Sequence, residues 1–158
     1  MHSETSALGA RKYLILDSIR SCLNVWAMMR TCDGAGFDKI ILTGFTPIPP
    51  RKDISKTAIW AQDSVDWEYY DDIIFIVDEL KEKWFKIVVL EQNEKSIDLR
   101  DFVPKKWEDI CIVLWNEIEW VRSEIIKKAD YIVEIPMFWK KQSLNVATSA
   151  GILMYKFV

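Results

Sequence analysis

Histidine, cysteine and glycine are all scarce in this chain of 158 residues. The one histidine is His2, in the opening stretch MHSETSALGARKY, which reads as a short flexible arm over residues 1–12. Mechanisms that need a histidine base, or a nucleophile activated by histidine, therefore have little to work with. The three cysteines, Cys22, Cys32 and Cys111, are odd in number and show no Cys-x-x-Cys spacing. That pattern argues against a disulfide framework and a zinc site, and it fits a reducing cytoplasm. Long apolar runs are missing too: IIFIV and CIVLW fall far short of the ~20 residues that span a bilayer. Nor does the N-terminus carry the hydrophobic core of a secretory signal.

Glycine, at five residues, is well below the ordinary usage of about 7%, whereas tryptophan reaches eight. A dinucleotide-binding domain places a glycine-rich turn directly after its first strand. Here LILDSIRS follows that strand, and the GAG at 34–36 comes after a helix and before a strand. No GKS or GKT is present, so a phosphate-binding loop is absent as well.

What is there fits one domain, over residues 13–158, long enough to bury a proper core. Half of the residues are hydrophobic and 28% are charged, with a net charge of -3. The charge is uneven: residues 1–56 hold eight Lys/Arg against five Asp/Glu, and residues 57–158 hold thirteen against nineteen. Two readings of the basic positions Arg11, Lys12, Arg20, Arg30, Arg51, Lys52 and Lys56 stay open. They form a phosphate-binding surface, or they are scattered solvated charges.

Five runs read as strands covered on both faces: KYLILD (12–17), KIILTG (39–44), KIVVLEQ (86–92), DICIVLW (109–115) and YIVEIPM (131–137). Helical patterns lie between them, at 23–35, 71–84, 119–128 and across the C-terminal SLNVATSAGILMYKF. Alternating strands and helices predict an α/β fold with a mostly parallel sheet and helices on both faces. TPIPPRKDIS (46–55) predicts a long loop, since three prolines disrupt regular structure.

Three polar clusters fall at predicted strand ends or helix starts, where open α/β sheets place ligands. They are NVWAMMRT (24–31), LWNEIEWV (114–121) and IPMFWKKQSLNVATSAGI (135–152). In order and spacing they resemble the three motifs of the SpoU family, the TrmH-like branch of the SPOUT RNA 2′-O-ribose methyltransferases. Those motifs run approximately N-x-G-x-x-x-R-T, L-G-x-E-x-x-G and I-P-M-x-G-x-x-x-S-L-N-V-x-x-A. The likeness extends from about Tyr13 to Phe157 and includes PRKDISKTAIWAQDSVDWEYY.

The resemblance implies a C-terminal deep trefoil knot, an S-adenosylmethionine cofactor held there largely by backbone groups, a cytoplasmic homodimer and no metal. It implies tRNA or rRNA as the partner, methylated on a ribose 2′-hydroxyl. By the same likeness, the catalytic candidates are Asn24, Arg30, Glu117, Ser143 and Asn145. Arg30 matches the motif-one arginine; its guanidinium suits holding the phosphate beside the reacting hydroxyl, with action as a base left open. Ser143 is expected also to cap the last helix. Leu90, Glu91, Trp115, Ile135, Met137, Ser143 and Leu144 match positions that line the adenosine site, although Ile135 and Leu144 by themselves read better as core. Arg20, Arg30, Arg51, Lys52 and Lys56 are the RNA-binding candidates.

The chain departs from the family at Trp26, Trp60, Trp84, Trp115, Trp120 and Trp139, all places where the resembling enzymes have glycine. Trp67 looks like an ordinary family tryptophan. Independent drift would scatter glycine into alanine, serine or asparagine, so a repeated change to one residue asks for one cause. Two causes are open. Either UGA codons that the source cell reads as glycine stand here as tryptophan, or the tryptophans are genuine and the chain is a noncatalytic knotted scaffold for RNA or a partner. In the chain as written, an indole at 115 or 139 is expected to intrude on the adenosine pocket or to distort the knot.

Overall fold

The computed structural model describes residues 9–49, 65–115 and 123–158. Glu117, Arg51, Lys52, Lys56, Trp60 and Trp120 lie outside the described residues, as does most of the predicted loop at 46–55.

The chain runs β1 (Lys12–Asp17), α1 (Cys22–Ala35), β2 (Lys39–Thr43), β3 (Asp66–Tyr70), α2 (Ile73–Glu82), β4 (Lys86–Leu90) and β5 (Ile97–Asp98). It continues through β6 (Ile110–Trp115), α3 (Ser123–Lys128), β7 (Tyr131–Glu134), α4 (Val146–Met154) and a final 3-10 turn at Tyr155–Phe157. All seven strands join one sheet, ordered β3-β2-β1-β6-β4-β7-β5, and every pairing among the described residues is parallel.

The strands' near-continuous apolar character follows from burial on both faces. Leu14 and Leu16 of β1 and Ile110, Ile112 and Leu114 of β6 point to one face, where Val25, Met28, Met29 and Cys32 of α1 and Ala150, Leu153 and Met154 of α4 cover them. The alternate residues Ile15, Cys111 and Val113 meet Ile73, Ile76, Val77 and Leu80 of α2 and Ile125 of α3 on the other. The period of two in the strands thus sorts each side chain into one of two cores.

The five predicted strands are present, the first with the expected bounds and the other four shorter. β4 stops at Leu90 and β7 at Glu134. Pro136, which has no N–H to give a ladder, stands just beyond β7. Two strands were not predicted. β3 is an edge strand whose DWEYY is too polar to read as buried, and β5 has only two residues.

The order of the strands decides where a ligand can sit. From β1 the chain builds outward through β2 and β3, and then β4 lands on the opposite side of β1, with β6 filling the gap. The carboxyl ends of β1, β6 and β4 therefore flank the point where the connections change direction, the usual ligand crevice of such sheets.

Candidate functional site

At that edge, the first and third sequence motifs meet through one hydrogen bond. α1 begins directly after β1, with Ser21 as its cap: the Ser21 hydroxyl accepts from the Asn24 N–H at 3.2 Å. Asn145 caps α4, its Oδ1 accepting from the Ala147 and Thr148 N–H groups at 2.9 and 3.3 Å. Those bonds fix which way the amide lies. Its Nδ2 donates to Asn24 Oδ1 at 3.2 Å, across 121 residues of sequence. Among the described residues, the Asn24 amide nitrogen makes no bond of its own, so its two protons remain to donate. The two helices pack closely here: a Cβ at Gly151 would meet the Thr31 methyl of α1 at 3.7 Å, an ordinary contact.

The expected helix cap is thereby corrected. Ser143 is exposed and lies two residues before the actual cap, Asn145. Asn145 takes that role because its carboxamide both reaches the two N–H groups and keeps a donor for Asn24.

Arg30 is exposed on α1, and its guanidinium lies 5.8 Å from the centre of the Trp26 ring, one turn earlier. A long side chain on a helix leans toward the helix N-terminus, which carries the guanidinium back toward the Asn24 end. Arg20, also exposed, follows the end of β1.

The cofactor candidates lie at the ends of β4, β6 and β7 and in the segment after β7. Leu90 is in register with Val133, and the Glu91 N–H donates to the Val133 carbonyl at 3.0 Å. Val89 is in register with Val113, which leaves Trp115 at the adjacent strand end. Leu90, Glu91, Trp115, Ile135, Met137 and Leu144 are all half-buried. Residues 136–144 form neither helix nor strand, and among the described residues none of their backbone groups bonds to another backbone group. Half-buried apolar side chains and backbone groups without backbone partners are what recognition of a purine edge requires.

Trp139 is 86% exposed, and Trp115 keeps its register with Asp17 of β1. An indole on a surface loop meets solvent, and one at a strand end can lean against the core beneath it.

Not all the basic candidates gather here. Arg11 is held by Asp109 through bonds of 2.7 and 3.0 Å, and Lys12 reaches the Ala35 carbonyl at 3.3 Å. Both stand at the amino end of β1, about 20 Å from its carboxyl end for six residues of strand. Burial pushes the thiols of Cys32 and Cys111 well up, so neither offers a thiolate nucleophile. One residue was not anticipated. Asp17 closes β1 between Thr43 and Trp115 and accepts from the Thr43 hydroxyl at 2.8 Å. A lone acid at the carboxyl end of a predicted strand was the signal for it.

Residues 11–155 match the model of the SpoU rRNA Methylase family. The chain belongs to that family. Among curated relatives, a Staphylococcus aureus protein named for the TrmH family of tRNA/rRNA methyltransferases is 26% identical over 94% of this chain. A tRNA (guanosine(18)-2'-O)-methyltransferase of Aquifex aeolicus is 29% identical over 89% of it. The chain spans 58% and 65% of the lengths of these two relatives. Among solved structures, the A. aeolicus TrmH/SpoU tRNA modifying enzyme superposes with a TM-score of 0.80 at 26% identity, over 94% of this chain and 75% of that one. An rRNA methyltransferase of Sinorhizobium meliloti with AdoMet bound superposes with a TM-score of 0.85 over 94% of this chain and 56% of its own, at 23% identity, a likeness of fold. The SpoU frame accounts for the sheet and for the meeting of the first and third motifs at its carboxyl edge.

Proposed function

We propose that this SpoU chain transfers a methyl group from S-adenosylmethionine to a ribose 2′-hydroxyl of tRNA or rRNA, acting in the cytoplasm as a homodimer with a knotted C-terminal segment. The observation that carries the reading is the Asn145–Asn24 bond, which ties the third motif to the first on the helix that also bears Arg30.

When bound, S-adenosylmethionine supplies a methyl group on a sulfonium that is already a good leaving group. The chain's residues then have alignment and charge control to provide. Arg30 holds the phosphate next to the target ribose and steadies the oxygen as its proton passes to solvent. Asn24, oriented by Asn145, donates to a ribose oxygen. Leu90, Ile135, Met137 and Leu144 carry the adenine, while backbone groups of 136–144 meet its polar edge and Ser143 and Glu91 serve its polar surroundings. Arg20 adds a phosphate contact.

The test is methyl transfer from labelled S-adenosylmethionine into unmodified tRNA and rRNA, with digestion to nucleosides to locate the label. A 2′-O-methylnucleoside is expected. Arg30→Ala should lower the rate by about 100-fold or more, the scale on which lost alignment acts. Label on a base, or an unchanged rate in Arg30→Ala, would overturn the proposal. A second reading, a noncatalytic RNA scaffold, draws on the Trp26 ring beside Arg30. It predicts RNA binding without methyl transfer even after Trp26→Gly, Trp115→Gly and Trp139→Gly. The first reading predicts that this triple variant binds S-adenosylmethionine more tightly than the chain as written.

A further inference from the structure

Two non-glycine residues among those described have a positive φ, and they differ in kind. Ser18, at φ 52, is buried and clamped: its N–H donates to the Thr43 carbonyl at 3.0 Å, and its hydroxyl accepts from the Phe45 N–H at 3.3 Å. A small polar residue with local bonds tolerates the left-handed region. Trp84, at φ 70, has no such support. Its indole is 86% exposed and makes no hydrogen bond or ring contact among the described residues. The strain of a bulky left-handed residue is thus offset by no contact of its side chain.

The backbone at 84 is a helix stop of the kind glycine fills. The Phe85 N–H donates to the Leu80 carbonyl and the Trp84 N–H to the Lys81 carbonyl, both at 3.0 Å. That is the Schellman pattern, whose left-handed residue is usually glycine. The chain supplies its own control. After α1, the Phe37 N–H reaches the Cys32 carbonyl at 2.9 Å, the Gly36 N–H reaches the Asp33 carbonyl at 3.3 Å, and Gly36 has φ 68.

A second tryptophan is also poorly accommodated. The Trp26 Nε1–H is buried with no hydrogen-bond partner among the described residues, a defect that native interiors rarely keep. Trp67 behaves differently, packing its ring against the core from β3. The misfits therefore fall among the tryptophans that stand at family glycine positions.

We infer that the polypeptide made in the source cell carries glycine at positions 84 and 26, encoded by UGA codons that this cell reads as glycine. One decoding rule then extends to 60, 115, 120 and 139, while Trp67 remains tryptophan. Glycine at 26 removes the ring beside Arg30, and glycine at 115 bares the end of β6 among the cofactor candidates. The inference stands apart from the methyltransferase proposal, since its tests involve no methyl transfer.

The gene's nucleotide sequence gives the first test: UGA is expected at codons 26 and 84 and UGG at codon 67. UGG at codon 84 overturns the inference. The second is mass spectrometry of the protein from its own cell, cut with a glutamate-specific protease. The peptide covering 83–91 should be lighter by the difference between tryptophan and glycine; a peptide of the tryptophan mass overturns it. The third uses recombinant protein. Trp84→Gly should melt about 2–4 °C above the chain as written, and Trp84→Ala should fall below Trp84→Gly, because alanine keeps the left-handed strain. Equal melting of the two variants removes the backbone argument.

Discussion

The junctions α1–β2 and α2–β4 solve one problem twice, with different residues. Each helix ends in the same pair of hydrogen bonds, and each is followed by a buried phenylalanine, Phe37 or Phe85, that plugs the space between helix and sheet. Each then feeds a strand beginning with lysine, Lys39 or Lys86. The turn residue is Gly36 in one and Trp84 in the other. The backbone path is thus set by the hydrogen bonds and the buried phenylalanine, not by the turn residue, which only sets what that path costs.

The largest break in this comparison should come from the plugs. Phe85→Ala should destabilise the fold by about 3–5 kcal/mol in a denaturant titration, and Phe37→Ala by a similar amount. Phe85 should be the costlier because its ring also packs 4.6 Å from Tyr13 and lies 4.6 Å under the Arg11 guanidinium. Next in size, Gly36→Trp would make the first junction like the second. Its cost should be about 1–3 kcal/mol from the left-handed backbone, since the nearest atom to an added Cβ is Lys12 Nζ at an uncrowded 3.9 Å. A negligible loss would mean that the path tolerates any residue, and the contrast with Trp84 would lose its force.

The helix starts offer a smaller, symmetric check. Ser21 caps α1 and Asp72 caps α2, so Ser21→Ala and Asp72→Ala should each cost about 1 kcal/mol by thermal melting. The smallest effect distinguishes the strands that follow. Lys39 pairs with Glu68 at 2.7 Å, and the Tyr70 hydroxyl donates to the same carboxylate at 2.8 Å. Burial alone would raise the Glu68 carboxyl, but the bonds from Lys39 and Tyr70 outweigh it and hold it below the usual glutamate range. A lowered folded value means stability that is present above the unfolded pKa and lost as pH falls through the folded one. Glu68→Gln should therefore lose a little stability at neutral pH, lose none below the folded pKa, and so flatten the acid limb of a stability-against-pH curve slightly.

Much of this was legible in advance because it rests on local pattern. The five central strands show near-continuous apolar runs, and α2 shows its stripe and its end charges. β3 and β5 were not legible, since an edge strand need not be apolar and two residues carry no period. In the site, the motifs named Asn24, Arg30 and Asn145. They could not say that Asn145 rather than Ser143 caps α4, because a cap depends on which side chain reaches two free N–H groups. Nor could composition separate Arg11 and Lys12 from Arg20 and Arg30. All four are basic residues close in sequence, but a strand's length divides them between opposite ends of the sheet.

By itself the sequence determined the α/β class, the order of its main elements and the family, because periodicity and motif spacing are properties of the chain alone. The tertiary structure decided which residues become neighbours. It joined Asn24 to Asn145 across 121 positions, set the ends of β1, β6 and β4 side by side, and held Trp84 at a left-handed φ. Each of those depends on strand order and helix packing, where contacts distant along the chain outweigh the preferences of single residues.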